Sequence, residues 1–313
     1  MTDITLKNLE TELIQASSAQ PVLLDIWAPW CAPCRTLGPI LERVEQSYAG
    51  RFKLAKLNSD DQPEIASQLS QAFGVKSIPF CVMFVAGQPV DGFVGALPES
   101  KIREFLDRHV PAESALQVEA ELEAAEALEA VGDTDSALDR LQQAVAIDPA
   151  NDTARFDYIK LLLETERTAQ ARAAFDPVAS KTLSDRRLAA LGAWLTALES
   201  LPTFRAPGVL AELISANRRD FEARFELAQS YLATGQFTQA MDELLEIVMR
   251  DKEWSHQLAR KTFVAILELM TRPAPKAAAQ PAKGTLELTG KSQVSTGDPV
   301  VDQYRRKLSM ALN

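Results

Sequence analysis

Residues 21–27, Pro-Val-Leu-Leu-Asp-Ile-Trp, are apolar apart from one carboxylate in the middle. A short run without polar alternation is a strand covered on both faces, and such sheets carry helices against them. That constrains the first third of the chain to a layered α/β architecture. The flanking patterns agree. After Cys31 a helical pattern sets Leu37, Ile40, Leu41, Val44 and Tyr48 on one face. Residues 52–57 read as a second strand and 65–73 as a helix. Residues 80–85 read as a third strand, which Gly87-Gln88 turns into 89–94, and 100–110 as a closing helix. Strands alternating with helices predict an α/β sandwich over residues 1–112.

Over residues 113–270 the period changes. No strand candidate of similar quality occurs, and Ala and Leu recur at helical spacing. A 34-residue frame, the tetratricopeptide length, places Ala125, Leu128, Ala137, Leu141, Ala144 and Pro149 at its positions 8, 11, 20, 24, 27 and 32. A frame from Asp152 places Leu162, Ala171 and Phe175 at positions 11, 20 and 24. A frame from Phe221 places Ala228, Tyr231, Ala240 and Leu244 at positions 8, 11, 20 and 24. Small residues let paired helices approach while large ones fill the gap. Residues 186–198 and 207–216 read as a degenerate helical pair between frames. The prediction is an all-α tetratricopeptide-like repeat region; a generic helical bundle is the alternative.

Residues 271–297 are rich in Pro, Ala, Lys, Gly, Ser and Thr and read as a flexible linker. In 298–313, Asp298-Pro299 supplies a cap and a first-turn proline. Val300, Tyr304, Leu308 and Leu312 recur every fourth residue, predicting a C-terminal amphipathic helix with Arg305, Arg306 and Lys307 beside its stripe.

Charge follows the same divisions: net -3 over 1–112, -11 over 113–270 and +4 over 271–313. A pI near 4.9 argues against coating nucleic acid, which needs a basic face. No apolar run reaches the length of a membrane span, and the first residues lack a signal-peptide pattern. Three cysteines cannot build a secreted disulfide framework. A cytoplasmic chain with no nucleic-acid or membrane partner is expected, in which any disulfide is catalytic.

Trp30-Cys31-Ala32-Pro33-Cys34-Arg35 lies at a strand-to-helix junction. Free amides at a helix N-terminus stabilise an anion, so a thiol at Cys31 ionises more readily and becomes a nucleophile. Cys34, one turn on, can resolve a mixed disulfide. A lone Cys-X-X-Cys is also half of a zinc site, but zinc needs four ligands. Only Cys81, His109 and His256 remain, so no metal is expected. A purely structural thiol pair is the other alternative. Cys81, in a strand, reads as a buried inert thiol, and His109 and His256 as surface or packing residues.

Residues 25–34, Asp-Ile-Trp-Ala-Pro-Trp-Cys-Ala-Pro-Cys, resemble the active-site strand and loop of thioredoxins. Lys56-Leu57-Asn58, the loop 74–79 ending Ile78-Pro79, and Val94-Gly95-Ala96-Leu97 match in the same order. The resemblance covers about residues 3–110. It implies a redox disulfide Cys31–Cys34 with no other cofactor and a recycling partner like thioredoxin reductase. It implies a cis peptide at Pro79, with Trp30, Ile78, Pro79 and Gly95 holding a substrate strand. It implies that Asp25 is a buried carboxylate relaying a proton to or from Cys34, that Lys56 partly compensates its charge, and that Pro39 kinks the active-site helix. Ala32 departs from the usual glycine.

The whole layout, with residues 259–263 and 304–308, resembles the bacterial chaperedoxins. That implies a co-chaperone that holds unfolded or oxidised client proteins, guards their cysteines, and meets a chaperonin through its C-terminal helix. Ser59 stands where some members carry a further cysteine. A plain disulfide reductase and a non-enzymatic adaptor remain as other readings.

Overall fold

The computed structural model describes residues 2–271 and 298–312. They form two compact units, one ending at Leu116, the other beginning at Gln117 and taking in the C-terminal helix. The expected linker, 271–297, lies outside the described residues apart from Thr271.

In the first unit β1 (Thr2–Asp3), β2 (Val22–Trp27), β3 (Lys53–Asn58), β4 (Phe80–Val85) and β5 (Gln88–Val94) form one sheet in the order β1-β3-β2-β4-β5. β1, β3 and β2 are parallel; β4 runs antiparallel to β2, and β5 to β4. β2 is central, which explains its unalternating sequence. Val22, Leu24 and Ile26 enter one core with Leu13 and Ile65. Leu23 enters the other, with Leu37 and Leu41 of α2 (Ala32–Ser47) and Phe105 of α4 (Glu99–Leu106). Asp25 is two residues from Leu23, so it faces the α2 side. α3 (Pro63–Phe73) packs in the opposite core through Ile65 and Ala66.

Three short elements of this unit have no counterpart in the sequence reading. β1 is two residues long and exists through its pairing, Thr2↔Ala55 and Asp3↔Lys56. Ahead of β2, a π-helical turn (Glu10–Gln15) runs into α1 (Ala16–Ala19) and buries Leu13. The closing helix also ends earlier than expected, at Leu106. Asp107, its C-cap, accepts the Tyr48 hydroxyl at 2.5 Å. The chain then continues in turns, with the Val110 amide still donating to the Leu106 carbonyl at 2.7 Å.

The second unit is helical: α5 (Glu113–Ala130), which begins just ahead of it, then α6 (Thr134–Ile147), α7 (Asp152–Glu164), α8 (Thr168–Phe175), α9 (Arg186–Ser200), α10 (Pro207–Ala216), α11 (Phe221–Ala233) and α12 (Phe237–Arg250). α13 (Trp254–Met270) and α14 (Pro299–Leu312) follow. α7 packs on α6 and α8, and α11 on α10 and α12; the expected pairing of 186–198 with 207–216 is not made, because α9 packs against α7, α8, α11 and α13 instead. The 3₁₀ stretch Asp176–Leu183 after α8 was not foreseen. Most frame positions are where the helices meet: Ala125, Ala137, Leu141, Ala144, Leu162, Ala171, Phe175, Ala228, Ala240 and Leu244 are buried, whereas Leu128 and Tyr231 are half-buried and Pro149 is exposed.

Equivalent slots also share devices that the frames did not use. Asn151 and Asp220 cap α7 and α11 by accepting from Ala154 N and Ala223 N. The fourth residue of each helix is a buried arginine. Arg155 donates to the Pro149 carbonyl, and Arg224 to the Arg218 carbonyl, each six residues back. The fifteenth slot of all three frames is left-handed: Gly132 (φ 80°), Glu166 (φ 59°) and Gly235 (φ 71°). Glycine adopts it freely, whereas Glu166 does so at a cost of roughly 1 kcal/mol.

Asp298 begins α14, accepting from Val300 N at 2.8 Å. The apolar stripe differs from the expected one. Val301, Tyr304 and Leu308 are buried, and Val300 is 37 % exposed. A strict four-residue spacing drifts about 40° per step on a 3.6-residue helix. Val300 therefore leaves the face that Tyr304 and Leu308 define, and Val301 takes its place. That face packs in the core built by α12 and α13, with Phe263 and Tyr304 rings 6.2 Å apart. The Tyr304 hydroxyl donates to Asp242 Oδ1 at 3.0 Å, and Lys252 Nζ donates to the Leu312 carbonyl at 2.7 Å. The basic cluster is partly engaged within the unit: Arg305 reaches Thr271 Oγ1 at 3.0 Å and Lys307 lies 3.4 Å from Asp242.

Candidate active site

β2 ends at Trp27, and the turn that follows returns the Cys31 amide to the Ala28 carbonyl at 3.1 Å. This sets Cys31 as the N-cap of α2, with extended backbone and its Sγ accepting from Cys34 N at 3.3 Å. Pro33 falls within the first two helical positions, where it donates no bond and fits the helix. The two sulfurs are joined as a disulfide. Both residues are nearly covered, packed with Ala28, Trp27 and Ile78.

Trp30, by contrast, is 68 % exposed beside them. Its indole N–H donates to both oxygens of Asp60, at 3.2 and 3.1 Å. Asp60 was absent from the sequence reading; its position in the turn after β3 carried no local signal. The Ile78–Pro79 peptide is cis. Gly95, with φ 86°, donates its amide to the Pro79 carbonyl at 2.8 Å, so two distant loops meet at Pro79. Ile78 and the two cysteines thus share one cluster, with Pro79 and Gly95 tied behind it.

Asp25 on β2 is 1 % exposed. Across the sheet it pairs with Lys56 on β3 and Cys81 on β4. Burial pushes its carboxyl up to about 6, while Lys56 and the Cys81 hydrogen bond pull it down and Glu42 adds a smaller upward push. Lys56 differs from expectation in one respect: its ammonium makes its ion pair with Glu42, at 2.6 Å. It acts on Asp25 through space. Pro39 lies within α2. His109 has a partner that the sequence did not suggest, Asp91 Oδ2 at 2.9 Å, and His256 is exposed. Among the described residues no group of three His, Cys, Asp or Glu side chains is placed to hold a metal ion, and no helix is long and apolar enough to cross a membrane.

The raised carboxyl has a consequence for stability. Burial lifts the folded Asp25 carboxyl from its ordinary 3.8 to about 6. Between these pH values the native state holds the proton more tightly, so stability falls as pH rises through that window. Asp25→Asn removes the penalty. The variant should gain about 3 kcal/mol at pH 8 and nothing below pH 3.8. Urea unfolding of the oxidised protein at both pH values checks this; equal midpoints at pH 8 would contradict it.

Residues 1–108 match the thioredoxin family. Residues 121–195 and 205–282 match tetratricopeptide repeat families. Thioredoxin 1 of Synechococcus elongatus is 41 % identical over 110 residues, covering 35 % of this chain and 94 % of that protein. Thioredoxin 1 of a Nostoc species is 43 % identical over 90 residues, covering 29 % and 80 %. Thioredoxin of Haemophilus influenzae is 37 % identical over 105 residues, covering 34 % and 94 %. An identity that runs nearly the full length of such relatives, over a unit that holds its paired cysteines at the start of a helix, places the chain in the thioredoxin family, as a thiol-disulfide oxidoreductase that carries tetratricopeptide repeats behind its redox domain.

Proposed function

We propose that this chain is a co-chaperone of the chaperedoxin kind. Its repeats, residues 113–270, hold proteins that are losing their fold, while the domain over 1–112 reduces or guards their cysteines. The observation that carries this reading is the union, in one chain, of an oxidised Cys31–Cys34 pair and an array of tetratricopeptide helices. Such arrays offer extended binding surfaces for protein. A net charge of -11 over the repeats keeps a loaded complex apart from its neighbours.

In the redox step the Cys31 thiolate attacks a client disulfide. One client sulfur stays bound to Cys31 and the other leaves as a thiolate that takes up a proton. Cys34 then loses its proton towards Asp25 and attacks Cys31 Sγ. The Cys31–Cys34 disulfide forms, and the client's second sulfur leaves reduced. Trp30, Ile78, Pro79 and Gly95 hold the client segment against the sulfurs. A reductase of the thioredoxin-reductase type returns two electrons to the disulfide, and the cytoplasm, with its reduced thiols, is the matching compartment. Hand-off to a chaperonin would use the outward side of α14, where Arg306 and Met310 are exposed, since its apolar face is already packed.

Light scattering of a heat-denatured client tests the holding role. The full chain at equimolar ratio should suppress aggregation, and Cys31→Ser should do so equally. Unchanged aggregation in both would leave a plain disulfide reductase whose repeats bind one folded partner.

A further inference from the structure

Cys81 is the one cysteine outside the redox pair, and it lies beside the buried carboxylate. The strand alternation that turns Asp25 towards α2 turns its cross-strand partner the same way. Cys81 shares its apolar cluster with Leu37 and Leu41 of α2, the helix that carries Cys34. Its Sγ lies 3.6 Å from Asp25 Oδ1, a sulfur hydrogen bond between two groups shut off from solvent. Its backbone is pinned from the far side as well: a Cβ on Gly92 of β5 would come within 2.8 Å of the Cys81 carbonyl. The thiol is therefore held in place by strand pairing on both edges.

We infer that Cys81 is a positioning residue for the redox reaction: its buried S–H donates to Asp25 and helps set how tightly that carboxylate holds its proton. The catalytic consequence rests on the relay role proposed for Asp25 above. Burial and the neighbouring carboxylate push the Cys81 thiol well up, so it stays protonated and remains a donor. A donor to a carboxylate favours its ionised form. The charged groups acting on Asp25 are Lys56 from β3 and Glu42 from α2, which also pairs with Lys56. Unlike Lys56 and Glu42, Cys81 acts as a neutral donor, so its influence survives high salt.

The test uses the full-length oxidised protein and the ¹³C carboxyl shift of Asp25 through a pH titration. Cys81→Ala should raise the Asp25 midpoint by about half a pH unit. Cys81→Ser has nearly the same volume as the alanine variant but keeps a donor, and should return the midpoint to the parent value or below. Cys81→Val fills more of the space without a donor and should behave like alanine, which keeps the comparison open if the alanine variant is unstable. Identical midpoints in all four proteins would overturn the inference, as would a serine variant that follows alanine. The pH profile of disulfide reduction is recorded alongside. A midpoint that moves while that profile stays put would keep the Cys81 bond and refute the relay role of Asp25.

Discussion

Cys31→Ser should reduce the rate of insulin disulfide reduction by at least about a thousandfold, to the uncatalysed background. Cys31 caps α2, so the amides at the start of the helix face its sulfur, and that position favours a thiolate. The two cysteines are equally covered, and Cys34 is set apart by its place inside the first turn of the helix. It can attack a sulfur already bound to Cys31 more readily than one on a bulky client. Cys34→Ser should then give a different failure, in which mixed disulfides on Cys31 accumulate and survive until an external thiol is added. Non-reducing electrophoresis reads the adducts directly. Ordinary turnover by Cys31→Ser would refute the assignment of the nucleophile.

Deleting residues 298–313 should lower the melting temperature of the repeat unit by about 10 °C. The helix removed is about as short as a marginal isolated helix, so its order depends on packing. Val301, Tyr304 and Leu308 are buried against α12 and α13. Each such side chain contributes about 1.5–3 kcal/mol on burial. Offset by the entropy of ordering the helix, a net loss of about 3 kcal/mol is expected. The deletion also strips the cover from Phe263 and leaves Asp242 without the Tyr304 hydroxyl. An unchanged melting temperature together with lost co-purification of a chaperonin would reverse the picture, making α14 a docking arm instead of a cap.

The sequence by itself determined the elements whose cause is local. β2 was legible because a strand buried on two faces needs an unbroken apolar run. The start of α2 was legible because Pro33 and the paired cysteines can sit there and in few other places. The repeat frames were legible because close helix packing demands small residues at fixed spacing, and Ala125, Ala137, Ala171, Ala228 and Ala240 are buried where that demand applies. Tertiary structure decided whatever depends on a partner far along the chain. β1 is two residues that become a strand through the edge of β3. Asp60 gains meaning through the Trp30 indole, 30 residues earlier in the chain, and His109 through Asp91. Lys56 acts on Asp25 through space while its ion pair goes to Glu42 of α2, a partner set by the packing of helix on sheet. Cys81 read as an inert filler because nothing local marks a cross-strand neighbour; register alone sets its thiol beside Asp25. The stripe of α14 shifted from Val300 to Val301 because a four-residue spacing drifts on a 3.6-residue helix. A four-residue repeat is visible in sequence, but which side of a short helix is buried depends on the surface against which it packs.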